Sequence, residues 1–281
     1  MPSSSSVLLA FALTLGAGLA TGVGAAVAFY ARRTNYRLLA LSLAFSAGVM
    51  LFVSFAEILV KAQEALGRVY GPRWGSAAAF ASFFAGLALI AAIDRFVPSD
   101  SNPHETRTDA DIEAFERDRL DTHTPITPSE QAGLLRMGKL AAIAIAIHNF
   151  PEGLVSFFSA LEDPKVGAAI AVAIALHNIP EGVSVAIPIF YATGSRRKAF
   201  TLSLLSGVSE PVGAILGFLV LRPFFGPTLL GVMFGLVAGI MVFVSLDELL
   251  PAARQHAQGH ETVYGIAAGM AVMAASLVLL R

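Results

Sequence analysis

His148-Asn149-Phe150-Pro151-Glu152-Gly153, at residues 148–153, returns as His177-Asn178-Ile179-Pro180-Glu181-Gly182 at residues 177–182: the motif H-N-x-P-E-G occurs twice, 29 residues apart. Each copy sits inside a long apolar run, residues 138–160 for the first and 165–191 for the second. On a helix, His and Glu four apart stack on one face, and Asn and Glu three apart share it, so one carboxylate reaches either neighbour. Proline at the fourth place removes the backbone bond to the carbonyl of Ile147 in one copy and Leu176 in the other, which predicts a kink and a freed oxygen. In lipid such a break is tolerated only where protein or a wet cavity meets the freed groups, so both motifs are expected to face the interior of a helix bundle.

The composition makes lipid the surrounding medium. The 281 residues are 56% hydrophobic and 14% charged with mean hydropathy +0.70, whereas soluble domains run at roughly 45–50% and 25%. A hydrocarbon core about 30 Å thick needs about 20 apolar residues of helix. Eight runs meet that length, at approximately 7–30, 37–60, 76–97, 138–160, 165–191, 199–221, 226–250 and 261–280. They are continuous and do not alternate, which excludes a β-barrel and predicts an all-α integral membrane protein of eight transmembrane helices. Residues 98–137 hold 13 of the 39 Lys, Arg, Asp and Glu residues, nine acidic and four basic. The expected organisation is therefore one transmembrane domain: spans one to three in 1–97, a polar loop at 98–137, and spans four to eight in 138–281. Gly18 and Gly22, Gly213 and Gly217, and the run Gly231, Gly235, Gly239 recur every four residues, as helix contacts in lipid require.

Charge bias sets the expected orientation. With the N-terminus outside, the inner side collects thirteen of the 19 Lys and Arg residues, among them Arg32, Arg33, Arg37, Arg136, Arg196, Arg197 and Lys198. The 98–137 loop then lies in the cytoplasm and both termini lie outside. Net charge is −1, with no basic cluster of the kind that wraps a polyanion, so nucleic acid is not an expected partner. No cysteine is present, and any metal must be held by N, O or thioether ligands. Met1 to Ser6 carry no basic residue, and the first apolar run is too long for a signal peptide's core, so it is read as a retained span.

Cost singles out the chemistry. His148, Glu152, His177, Glu181 and Glu210 all fall near the middle of their spans, where each charged group costs roughly 2.5–3.5 kcal/mol. No Lys or Arg is expected at that depth to compensate. A divalent cation suits them, because imidazole and carboxylate together bind Zn²⁺, Fe²⁺, Mn²⁺ and similar ions. A carboxylate proton relay would account for the glutamates but not for the paired Asn149 and Asn178. Glu210, in Ser206-Gly207-Val208-Ser209-Glu210-Pro211, is the candidate to close the site from span six; the plainer alternative is a packing carboxyl bonded to Ser206. Glu57 at the outer end of span two, and Asp247 and Glu248 at the inner end of span seven, are read either as path residues or as solvated helix ends. Met50, seven residues before Glu57 and on the same ideal helix face, offers a soft thioether contact or simple packing. His104, His123, His256 and His260 suggest weak metal contact in the loops, although Asp109 to Asp121 reads as a solvated linker.

These residues resemble the ZIP (Zrt/Irt-like protein) metal transporters over essentially the whole chain: H-N-x-P-E-G in spans four and five, S-G-x-x-E-P in span six and S-x-D-E-L-x-P at the end of span seven. The resemblance implies an inverted 3+2+3 helix arrangement, divalent metal import toward the cytoplasm, and a two-metal site at mid-membrane. Its ligands would be His148, Asn149, Glu152, His177, Asn178, Glu181 and Glu210, with Met50 close by. Expected substrates are zinc first, then iron, manganese, cobalt and cadmium, carried as cargo and not as a cofactor, across a bacterial inner membrane. A homodimer is the assembly left open. The competing reading is an intramembrane metal-dependent enzyme, against which stands the absence of H-E-x-x-H. The lack of a G-x-x-x-x-G-K-[ST] loop removes direct ATP drive.

Overall fold

The computed structural model describes residues 3–32, 35–96, 128–221 and 226–279. Among them every regular element is helical. α1 spans Ser4–Ala25 and continues for one turn as Val27–Tyr30. α2 spans Tyr36–Val53, passes through a π-turn at Ser54–Ile58 and runs into α3, Leu59–Phe96. α4 (Pro128–Glu162) and α5 (Pro164–Thr193) carry the two H-N-x-P-E-G copies. α6 (Arg196–Gly207) and α7 (Ser209–Leu216) follow. α8 (Pro227–Phe243) leads through another π-turn, Val244–Leu249, into α9 (Leu250–His256), and α10 is Glu261–Leu279.

Local chemistry sets these ends. Side chains of Ser3, Asn35 and Ser195 accept the backbone N–H three residues on, capping α1, α2 and α6. Asp163 Oδ1 accepts from Lys165 N at 2.8 Å where α5 begins. α4 starts at Pro128, so residues 128–137 of the expected polar loop are helix: proline presets the first turn, and Leu134 and Met137 are buried. His104 and His123 lie outside the described residues. Both α4 and α5 run unbroken through Pro151 and Pro180, so the expected kinks do not interrupt either helix.

Among the described residues, seven helical stretches are long and apolar enough to cross a membrane, making this an all-α multi-pass membrane protein. The count is seven where eight runs were expected because the second and third form one stretch of 60 residues, Tyr36–Arg95. That stretch is no straight rod. Gly71 leaves helical geometry at φ 77° and ψ 165°, a conformation glycine adopts without strain. Beyond it, Gly75 lies against the backbone of Leu66 and Gly67, and Leu66 shares a small apolar cluster with Ala79. The two arms thus pack on each other.

α1 packs on α5, α4 on both α5 and α7, α3 on α8, and α2 on α10. The glycines spaced by four lie at the α4–α7 and α3–α8 seams and, for Gly18 and Gly22, where α1 also meets α6. A Cβ on Gly18 would strike the carbonyl of Gly207, one on Gly213 that of Phe150, and one on Gly239 that of Phe83. Without lipid-phase hydrophobic drive between helices, such backbone approach is what holds them together.

Candidate metal site and its approaches

The two motifs answer each other crosswise. His148 Nε2 of α4 lies 3.0 Å from Glu181 Oε1 of α5, and His177 Nε2 of α5 lies 3.2 Å from Glu152 Oε1 of α4. All four residues are buried, none more than 4% exposed. The glutamates therefore find imidazole, not lysine or arginine, as their hydrogen-bond partner. The helices are held close enough for this by backbone contact on both sides. Gly182 sits on Thr21 of α1, and Gly153 sits on Glu210 of α7. Hydroxyls pin the α5 motif further: Ser46 Oγ donates to the Pro180 carbonyl at 2.8 Å and Ser203 Oγ to that of Gly182 at 3.0 Å.

Asn178 Nδ2 donates to the Ala17 carbonyl at 2.9 Å and to Glu210 Oε1. Asn149 Nδ2 reaches the Ser206 carbonyl at 3.4 Å. Ser206 Oγ itself donates to Ser203 O at 2.7 Å, so the partner of Glu210 is an asparagine of the motif. The structure thus joins six of the seven residues as three pairs across α4, α5 and α7, while Asn149 of α4 bonds to the backbone of α6.

What these residues leave unused is the informative part. Eleven buried side-chain N or O atoms among the described residues have no hydrogen-bond partner. Seven of the eleven are one atom from each member of this set: His148 Nδ1, Asn149 Oδ1, Glu152 Oε2, His177 Nδ1, Asn178 Oδ1, Glu181 Oε2 and Glu210 Oε2. A buried polar atom without a partner costs about 1–3 kcal/mol. Each member of the set thus keeps one buried polar atom unused, although among the described residues the His, Asp and Glu side chains that bring three ligand atoms within 4.8 Å of one another are Asp94, Asp247 and Glu248 and not these.

A cavity of about 300 Å³ reaches Glu152 and His177 from one side, lined also by Glu57, Lys61 and Glu64. Glu57 therefore shares a cavity with two residues of the motifs and is not only a solvated helix end. Met50, by contrast, is fully buried in the main apolar cluster. The π-turn at Ser54–Ile58 intervenes between Met50 and Glu57. A π-turn spends an extra residue, so the shared face that ideal α spacing assigns to the pair does not apply.

Asp247 and Glu248 also fall in a π-turn, and with Asp94 of α3 they present oxygens within 4.8 Å of one another. Arg136 of α4 bridges this group, 2.5 Å from Asp94 and 3.3 Å from Glu248. Asp94, Arg136, Lys61 and Glu64 were not singled out from sequence. A signal for the two π-turns does exist in the chain. Gly48, Met50, Phe52, Val53, Ser54, Glu57 and Leu59 recur in the same order and spacing as Gly239, Met241, Phe243, Val244, Ser245, Glu248 and Leu250. In both copies the serine donates back to the methionine carbonyl, at 2.6 and 2.7 Å.

The sequence model of the family described as ZIP Zinc transporter matches residues 98–277. The chain belongs to the ZIP family. Among curated ZIP proteins, it is 55% identical to a protein named Zinc transporter ZupT of Lysinibacillus sphaericus, over 98% of both chains. A Zinc transporter ZupT of Nitratidesulfovibrio vulgaris is 55% identical over 99% of each, and one of Clostridium perfringens is 52% identical over 98% of this chain and 97% of the relative. These ZIP relatives are named as transporters, not as enzymes.

Proposed function

We propose that this chain carries zinc across a bacterial inner membrane into the cytoplasm, binding it at the crossed His and Glu pairs near mid-depth. One observation carries the reading: the seven unpartnered buried atoms on His148, Asn149, Glu152, His177, Asn178, Glu181 and Glu210. The relatives' name supports zinc as the cargo. A mixed N and O donor set also admits Fe²⁺, Mn²⁺, Co²⁺ and Cd²⁺. In this proposal metal approaches past Glu57, sheds water at the motifs and leaves past Asp247 and Glu248. Both termini lie outside.

We also propose that the 60-residue stretch counts as two spans, giving eight in an inverted 3+2+3 order. Matched glycine approaches support it. Gly24 sits on Ile179 as Gly213 sits on Phe150; Gly48 sits on Ile266 as Gly239 sits on Phe83; and Gly269 sits on Phe45 as Gly86 sits on Leu236. Each pair relates one of the first three spans to one of the last three around α4 and α5. Broken or widened helices meeting at a repeat interface suit alternating access.

The test is uptake by vesicles carrying the purified chain. Zinc is expected to accumulate in them and not in protein-free vesicles, with Co²⁺ and Cd²⁺ competing. Protons compete for imidazole and carboxylate, so acidifying the medium should raise the zinc concentration needed for half-maximal uptake. Zinc-independent vesicle contents at every pH would reject the proposal.

A further inference from the structure

The cavity leading to Glu152 and His177 contains a fixed cation, which a path for dications should avoid unless the cation does something. Lys61 lines that cavity with Glu57 and Glu64. It stands one helical turn beyond Glu57 and donates from Nζ to Glu57 Oε1 at 2.6 Å. Glu57 is nearly buried, its side chain 15% exposed, and its second oxygen, Oε2, is buried with no partner. Lys61 is 41% exposed. The carboxylate is therefore half engaged, with one oxygen on the ammonium and the other unused.

The opposite cluster shows what a permanent cation looks like. Arg136 is only 10% exposed and divides its guanidinium between Asp94 and Glu248, the forked, rigid geometry that arginine favours. Lys61 makes a single contact from a flexible four-carbon stem with solvent beside it. That arrangement holds an acid neutral and can still let go.

We infer that Lys61 is a tethered stand-in for the metal at Glu57, a specificity-setting residue that an arriving dication must displace. The inference rests on the transport reading above. In the empty path the ammonium neutralises Glu57. A monovalent ion gains no more from that carboxylate than the lysine already does, and competes against a partner whose tether keeps it at high effective concentration. A dication gains twice the Coulomb attraction. It takes both oxygens, and its repulsion sends the ammonium into solvent. Lys61 thereby filters by charge and raises the metal concentration at which the path fills.

Two measurements test this. In vesicles, Lys61→Met is expected to lower the half-saturating zinc concentration about twofold to fivefold, the scale of one partly exposed ion pair. The maximal rate should change little, and uptake should become sensitive to block by potassium. Lys61→Arg, whose fork can hold the carboxylate and is harder to displace, should instead raise the half-saturating zinc concentration above that of the parent. In the detergent-solubilised full chain, zinc should increase acylation of Lys61 by an amine-reactive reagent, read by mass spectrometry, because displacement frees the amine. Unchanged half-saturation in Lys61→Met, or zinc that leaves Lys61 labelling equal or lower, overturns the inference. If parent vesicles take up no zinc, the transport reading fails, and the labelling result alone decides the role of Lys61.

Discussion

Alanine at His177 is expected to abolish zinc uptake. The imidazole is the hydrogen-bond partner of Glu152 and belongs to the wall of the approach cavity, so its loss removes a donor and strands a buried carboxylate together. Groups that merely orient a ligand change metal affinity by about 10- to 100-fold, and removal of the ligand itself should exceed that. The variant must be shown to fold, by helical content and by a single gel-filtration peak. His177→Gln serves as the second variant, since it refills the space with a neutral polar group and still lacks the imidazole. Full zinc accumulation by either folded variant would dismiss His177 as a ligand. The crosswise pairing adds a sharper expectation: His148→Ala strands Glu181 of the other helix in the same manner, so the two alanine variants should be similarly inactive.

The second large effect lies in the backbone seams. Gly24 and Gly16 occupy the same helix, α1, yet a methyl group meets opposite surroundings at the two positions. At Gly24 it would overlap the Ile179 carbonyl, which is main chain within the α5 motif and cannot swing aside. At Gly16 nothing lies within 4 Å. Gly24→Ala must therefore push α1 from α5, lengthening the bond from Asn178 to the Ala17 carbonyl. Overpacking of this kind costs about 1–3 kcal/mol or more. Gly16→Ala should be neutral or stabilise by up to about 1 kcal/mol, because alanine is the better helix former. Thermal unfolding of the two purified variants, with zinc uptake measured alongside, compares them directly. Equal melting temperatures would show that the α1 and α5 contact is loose.

Much of this arrangement was legible beforehand, and for a physical reason. Polar groups in lipid are expensive, so a few residues such as His148 and Glu181 stand out against an apolar chain and announce an interior face. Glycine spacing marked the seams for the same reason, since only close backbones repay it. The crosswise bonding was not legible: helical periodicity places His and Glu of one motif on a common face but says nothing of how two helices slide past each other. Asp94 was not legible, because its partner Arg136 is distant in sequence, and Lys61 was not, because an i,i+4 ion pair gains its meaning only from the cavity it lines. The loop boundary was misjudged because residues 128–137 are polar enough to read as loop, although Leu134 and Met137 are anchored in the core. Gly71 parts the second and third apolar runs, in a turn tight enough to leave helix on both sides.

The widened turns at Ser54–Ile58 and Val244–Leu249 have an effect on everything downstream of them. A helical wheel drawn through either one goes out of phase by about one position. Residue-by-residue scans for lipid exposure along these two segments must accordingly be indexed separately before and after the bulge. Pooled as a single period, the signal would blur, and a well-ordered helix would be mistaken for a poorly formed one.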